Sequence, residues 1–383
     1  MLPEDARRER AFSGFALTGL PHRRMERWKW TDFKSVLKTV EAVESPAAHD
    51  PLGDVDAVRC VFDGTGVSIS KLPKAVRTIE KSEPLAIDGA EDMPMMALTA
   101  ALAGSRKFSM LLMEVTEPVE VPLHFVFSAA GKELGLSRIK IVIREGAHLR
   151  LIESHLGGAG LNSSLLEFDV KAGAQLSRTI YQAASEDQTQ AITSHIILGA
   201  ESKMTQTALA FGADLARLET LVIHEGARAD VLMNTAYLAG KGKHIDVTSE
   251  VRHTDTHCVT NQLTKGAVKA GGRGIFQGKF NVPRIVGQFT KADMQHNALL
   301  LDHGAEVFTK PELEIYADDV ECAHGNTSGQ MDENALFYMR QRGIPEAQAR
   351  AMLTEAFVAE ALETADASAQ SILLETAREW LRA

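Results

Sequence analysis

No apolar stretch in the 383-residue sequence approaches the roughly 20 residues that a membrane-spanning helix requires. The N-terminus, MLPEDARRERAF, lacks the apolar centre of a secretory signal. Both absences predict a soluble, cytoplasmic chain with no membrane partner. Cysteine is scarce: Cys60, Cys258 and Cys322 are far apart and odd in number, which excludes a disulfide framework and fits a reducing compartment. A basic surplus is lacking too. With 51 acidic against 41 basic residues the formal net charge is -10, the wrong sign for holding phosphate backbones, so nucleic acid is not an expected partner. No G-x-x-x-x-G-K-[ST] loop occurs, which excludes ATP binding through a P-loop.

What is present is a globular composition, 45% hydrophobic and 24% charged, carrying two kinds of period. At the N-terminus Pro3, Glu4 and Asp5 predict a helix start, and Gly19 with Pro21 its stop. Thr31 or Asp32 can cap a second helix with Phe33, Val36, Leu37 and Val40 on one stripe. Pro94, Met95, Met96, Leu98, Ala101 and Leu102 predict a third, ending before Gly104. Residues 42 to 90 give no clear pattern.

In the middle of the chain the period becomes 2. Ile139, Ile141, Ile143, Ala147, Leu149 and Leu151 alternate with polar residues across a Glu145-Gly146 break. Similar Gly-Ala breaks recur at Gly173, Gly199 and Gly226, spaced 27, 26 and 27 residues apart, and Gly304 lies three further steps of 26 away with Gly278 in the same register. Without a leucine-rich pattern or intervening helices, this repeat predicts a right-handed parallel β-helix of about eight turns between Phe108 and Val320. Those glycines are expected as its aligned corners. After Asp332 the helical period returns, first with Leu336, Phe337 and Met339 up to Gly343. Next come Leu353, Phe357 and Ala361, and finally Leu373, Ala377, Trp380 and Leu381. These helices are expected to cover the open end of the β-helix. The predicted organisation is an N-terminal helical and mixed region over 1–106, a β-helix core over 107–321 and a helical domain over 322–383.

The run TKPELEIYADDVECAHGNTSGQMDENALFYMRQRGI, residues 309 to 344, closely resembles the signature segment of the SufD family. The resemblance extends through HCVTNQLTKGAVKAGGRGIFQGK (257 to 279), VTEPVEVPLHFVF (115 to 127) and, more loosely, GLPHRRMERWKWTDF (19 to 33). The related SufB proteins are longer, carry extra N-terminal cysteines and differ where this chain reads ADDVECAHG. The resemblance implies a non-catalytic scaffold subunit of a SufBCD complex. Such a subunit pairs with SufB through its β-helix and binds the SufC ATPase through its C-terminal helices, so that iron acquisition and cluster assembly occur at the SufB interface. Leu353, Phe357, Trp380 and Leu381 are the candidate SufC contacts. The alternatives are a self-associating SufB-like scaffold and a carbohydrate-active β-helix enzyme; a homodimer is an expected state of the chain in isolation.

Cys322 and His324 are the candidate metal ligands. At i and i+2 of an extended segment, thiolate and imidazole project together and suit iron. Two ligands do not complete a site, so no cofactor is expected to stay on the isolated chain, and a transient iron-sulfur cluster or iron is expected in the complex. From spacing alone, Cys322 as a buried small hydrophobe and His324 as a hydrogen-bonding residue at a helix entry is the favoured reading. The resemblance assigns His324 to the histidine that faces SufB's cluster cysteine. His253, Asp255 and His257 are expected to alternate along a strand, with Cys258 opposite, as a polar ladder or a second metal site. His296 and His303 are expected on the surface. Gly271, Gly272 and Gly274 around Arg273 lack the phosphate-loop form and predict a turn of the β-helix.

Overall fold

When inward apolar and outward polar side chains alternate, each strand buries one face, and such strands stack where every inward residue meets its equivalent in the next rung. The structure, a computed structural model, describes residues 4–38, 41–44, 46–79, 93–103, 108–284 and 287–382. Its strands form a parallel β-helix with two ladders. The first sheet runs through β1 (Val58–Phe62), the front halves of β5 (Leu123–Ile143) and β6 (His148–Val170), β7 (Gln175–Gln182) and β9 (Lys203–Ala210). It continues with β11 (Asp230–Ala239), β13 (Val259–Val268), β15 (Lys291–Leu300) and β17 (Glu321–Gly329). The second sheet takes β4 (Ser109–Val115), the back halves of β5 and β6, then β8 (Thr189–Leu198) and β10 (Leu215–His224). Its last strands are β12 (His244–His253), β14 (Arg273–Val282) and β16 (Glu306–Ile315). The short strands β2 (Val67–Ile69) and β3 (Val76–Thr78) add antiparallel pairs to β1 and β4. The ladder therefore overlaps both regions that flank 107–321.

Register shows why the stack is stable. Ile141, Phe168, Ile196, Val222, Val251 and Phe280 are partners in six successive rungs, all fully buried. Each such side chain contributes about 1.5–3 kcal/mol relative to exposure.

The corner glycines follow a different rule from the expected one. Rungs of the first sheet begin at Lys203, Asp230, Val259, Lys291 and Glu321, offsets of 27, 29, 32 and 30, so a fixed period of 26 drifts out of register. The edge that leads from the second sheet to the first carries Gly146 and Gly173 in left-handed conformation. It continues with Glu201, Arg228, His257, Phe289 and Asp319 in that conformation. Gly199 and Gly226 lie on this edge but two residues earlier, packed on the preceding turn; a Cβ on Gly199 would sit 2.9 Å from the Ala172 nitrogen. Gly304 belongs to the opposite edge, with Gly242 and Gly271, and Gly278 is inside β14.

The helices also depart from expectation. α1 (Glu4–Thr18) and α3 (Pro94–Leu102) fall where the sequence placed them. α2 (Phe33–Val36) is a single turn capped by Asp32, whose carboxylate accepts the Ser35 N–H at 2.9 Å, and Val36 is exposed. Pro3, Val40 and Gly104 lie outside the described residues. The C-terminal helices α4 (Glu333–Gln341), α5 (Glu346–Ala359) and α6 (Gln370–Arg382) leave the last strands, β16 and β17, without a buried residue. Val358, Ala361, Leu362, Leu373 and Ala377 pack instead on Ile152, Tyr181, Leu209, Leu238 and Ala267, on the outer face of the first sheet. That face is apolar and has to be covered. On the second sheet the cover comes from the N-terminal segment. Trp28 is buried with the Arg217 guanidinium 3.9 Å from its ring centre, Arg27 pairs with Glu219 at 3.0 Å and with Glu250, and Thr31 bonds Asp246.

Substituting Gly226→Ala should lower unfolding free energy by about 1–3 kcal/mol, because the new Cβ overlaps the Ala200 backbone nitrogen. Urea titration checks this; an unchanged midpoint would contradict the packed corner.

Candidate functional site

Cys322 and His324 both lie on β17, the last strand of the first sheet. Among the described residues β17 pairs only with β15, and none of its residues is buried. Register places Cys322 opposite Ala292 and His324 opposite Met294, whose side chains are buried in the lumen core. Cys322, half-buried, packs against that core, and His324 is exposed. Thiol and imidazole thus share the lumen-facing side of an open rung, as their i, i+2 spacing predicted. Burial pushes the Cys322 thiol up from its ordinary value, with the Ala292 backbone hydrogen bond opposing. The thiol is therefore protonated near neutrality, and a metal would have to displace its proton. β16, the last rung of the second sheet, likewise has no buried residue.

The second histidine cluster does not form. β12 ends at His253, Asp255 sits in a bend, and His257 takes a left-handed corner with φ 58°. His253 turns inward and stacks on His224 at 4.8 Å, and the Thr260 hydroxyl lies 2.9 Å from one ring and 3.2 Å from the other. Burial pulls His253 down to about 4, and burial with His253 beside it pulls His224 well below its usual value, so both rings are neutral. Among the described residues no group of three or more His, Cys, Asp or Glu is placed to hold a metal.

His303 is exposed as expected, but His296 is fully buried. The signal was present in the sequence: Ala292, Met294, His296 and Ala298 alternate inward on β15. Gly271 makes a corner between β13 and β14 with φ 72°, and Gly274 leaves room for the Tyr237 ring, so this glycine group is a β-helix turn.

Of the candidate partner contacts, Phe357 and Trp380 face the β-helix. Lys265 lies 4.5 Å from the Phe357 ring centre and Lys269 4.4 Å from that of Trp380, while Lys269 Nζ also donates to the Trp380 carbonyl at 2.8 Å. Leu353 is half-buried, and Leu381 lines a cleft of about 540 Å³ with Lys269, Leu300, Met331 and Arg350. The apolar side chains turned outward are ones the helical period did not single out as contacts: Phe337 and Tyr338 on α4 and Met352 on α5.

Comparison with known proteins adds to this geometry. The family model described as SUF system FeS cluster assembly, SufBD core domain, matches residues 125–357. The chain is 28% identical to the iron-sulfur cluster assembly protein SufD of Escherichia coli, over 90% of this chain and 85% of that protein. It is 26% identical to an iron-sulfur cluster assembly SufBD family protein of Synechocystis, over 90% and 83%. A SufBD family protein of Mycobacterium bovis matches at 25% over 89% and 84%. No helix among the described residues is long and apolar enough to cross a membrane.

Burial pushes Cys60 up to about 12 and Cys258 to about 11, against a half-buried Cys322. Alkylation of the folded chain followed by peptide mass analysis should therefore modify Cys322 first. Its rate should be slower than in the unfolded chain near pH 8, and the gap should close as pH rises and the thiolate forms. Earlier labelling of Cys60 or Cys258 would contradict the placement.

Proposed function

The chain belongs to the SufBD core family of the SUF iron-sulfur cluster assembly system, and on that premise we propose that it is a non-catalytic, SufD-type scaffold subunit of a cytoplasmic SufBCD complex. The observation that carries this reading is the uncovered last rung, where β17 presents Cys322 and His324 on its lumen side and leaves its outer backbone edge unpaired among the described residues. A strand edge of this kind is a template for another chain. A SufB-type partner that continues the ladder would bring its own thiolate beside these two groups. Iron, or a nascent cluster, is the cargo. Thiolate and imidazole suit it, and the shared site reaches the usual count of about four ligands only with the partner or bound sulfide. The isolated chain should accordingly bind iron weakly or not at all.

The C-terminal helices are the proposed seat of a SufC-type ATPase. Since Phe357 and Trp380 hold the helices to the first sheet, the contact is assigned to the outward Phe337, Tyr338 and Met352, with Leu353 and Leu381 at its margin. Deleting residues 345 to 383 would also strip the apolar face around Leu238 and Ala267, so point variants are the cleaner probe. Family membership sets aside the carbohydrate-active reading. A second reading, a scaffold that self-associates without SufB, rests on the same open edge, which a second copy could extend. Mass measurement of the chain alone and mixed with SufB-type and SufC-type partners separates the two.

Replacing His324→Ala removes an exposed ligand and no packed side chain. The hetero-complex should still assemble, while maturation of cluster proteins falls by about tenfold or more, with a milder loss for Cys322→Ser. Maturation at the unmodified level in His324→Ala would overturn the ligand role.

A further inference from the structure

Within the last rungs lies a polar chain that none of the roles above uses. Tyr237 on β11 and His296 on β15 are both completely buried. Tyr237 Oη is 3.0 Å from His296 Nε2, His296 Nδ1 is 2.8 Å from Asn326 Oδ1 on β17, and Asn326 Nδ2 is 2.7 Å from Thr309 Oγ1 on β16. The amide fixes the direction. Its nitrogen donates to Thr309, so its oxygen accepts from His296 Nδ1–H, and His296 Nε2 accepts the Tyr237 hydroxyl proton. The imidazole is neutral, every member has a partner, and the chain spans three strands of the first sheet and one of the second.

The lumen is shaped around it. A Cβ on Gly266 of β13 or on Gly274 of β14 would enter the Tyr237 ring, so glycine in both sheets lets the tyrosine pass one rung and reach the next. His296 stacks on Phe276, centroids 4.7 Å apart and planes at 8°, and lies parallel to the Tyr237 ring, at 5.9 Å and 5°. A histidine stacked on Phe276 and bonded at both nitrogens has one orientation. Its outer end is Asn326, two residues from His324 on the same side of a strand that has a single paired neighbour among the described residues.

We propose that Asn326, oriented by His296 and Tyr237, is a positioning residue: it fixes the terminal strand and so the direction in which His324 offers its imidazole to iron. This rests on the ligand reading of His324. Open edge strands are held weakly, and a ligand on one loses affinity when its support is removed. Thr309 ties the same amide to β16, so both terminal strands are set together.

The test uses the full chain in complex with its SufB-type and SufC-type partners, with ferrous iron as the probe, and four variants. His296→Phe keeps the stacking and removes both hydrogen bonds. His296→Gln can accept from Tyr237 and donate to Asn326. Asn326→Leu alters an exposed side chain and leaves every buried side chain in place, so it stands if His296→Phe fails to fold. His324→Ala reports the ligand reading alone. Ferrous affinity should fall about tenfold in His296→Phe and Asn326→Leu and return to within about threefold in His296→Gln. Amide hydrogen exchange over 321–329 should accelerate in the two disrupting variants, while that over 203–210 does not change. If His324→Ala weakens iron binding but His296→Phe and Asn326→Leu match the unmodified complex in affinity and exchange, the chain positions nothing and the proposal is overturned. If His324→Ala itself leaves affinity unchanged, the ligand reading fails, and exchange over 321–329 still decides whether the anchor exists.

Discussion

A rung of this β-helix is complete only when another rung lies on each side of it, and the molecule's organisation follows from where that condition fails. The inward column from Ile141 to Phe280 is closed at every step, but Phe280's next partner, Leu313 on β16, is only half-buried. Among the described residues no further strand pairs with β16 beyond β14 or with β17 beyond β15. Apolar and polar lumen groups are treated alike: Arg178 lies inside the stack with its guanidinium on Glu153, Ser194 and Gln206. Such buried pairs are tolerable because each hydrogen bond is made, and they tie the two sheets in register. At the terminal rung the same inward positions carry Cys322, His324 and Asn326. Lumen-facing side chains are there exposed or half-buried.

The chain's remaining surfaces are covered by its own ends. The N-terminal segment lies across the second sheet through Trp28, Arg27 and Thr31, over a charge network in which Arg217 bonds Asp246 at 2.7 Å and Glu219 at 2.9 Å. Loss of one member would strand a buried charge, at about 3–5 kcal/mol. The C-terminal helices cover the first sheet, with Phe357 and Trp380 under the ammonium groups of Lys265 and Lys269. Both covers leave the last strands, β16 and β17, without a buried residue.

Much of this was legible in the sequence because period 2 is a strong local signal. The strand–turn–strand repeat announced the β-helix, and the i, i+2 spacing placed Cys322 and His324 on one side of a strand. What failed was whatever needed an absolute register. Rungs of 27 to 32 residues moved Gly304 to the other edge and Gly278 into a strand. His253 and His257 were separated by a corner whose left-handed residue is a histidine and not a glycine. The helical stripes of α5 and α6 were read correctly as apolar, but a stripe does not say which surface it meets. His296 is legible in the alternation of β15 with Ala292, Met294 and Ala298, but a polar side chain at an inward position runs against the usual partial exposure of histidine.

Under the proposed function, the open rung is the place where a SufB-type chain joins. Hydrogen exchange measured on the chain alone and after addition of that partner tests it directly. Amides of β16 and β17, residues 306–315 and 321–329, should gain protection on mixing, since a new strand would occupy their unpaired edge. Protection confined to the C-terminal helices or the N-terminal segment, with the terminal strands unchanged, would contradict the account.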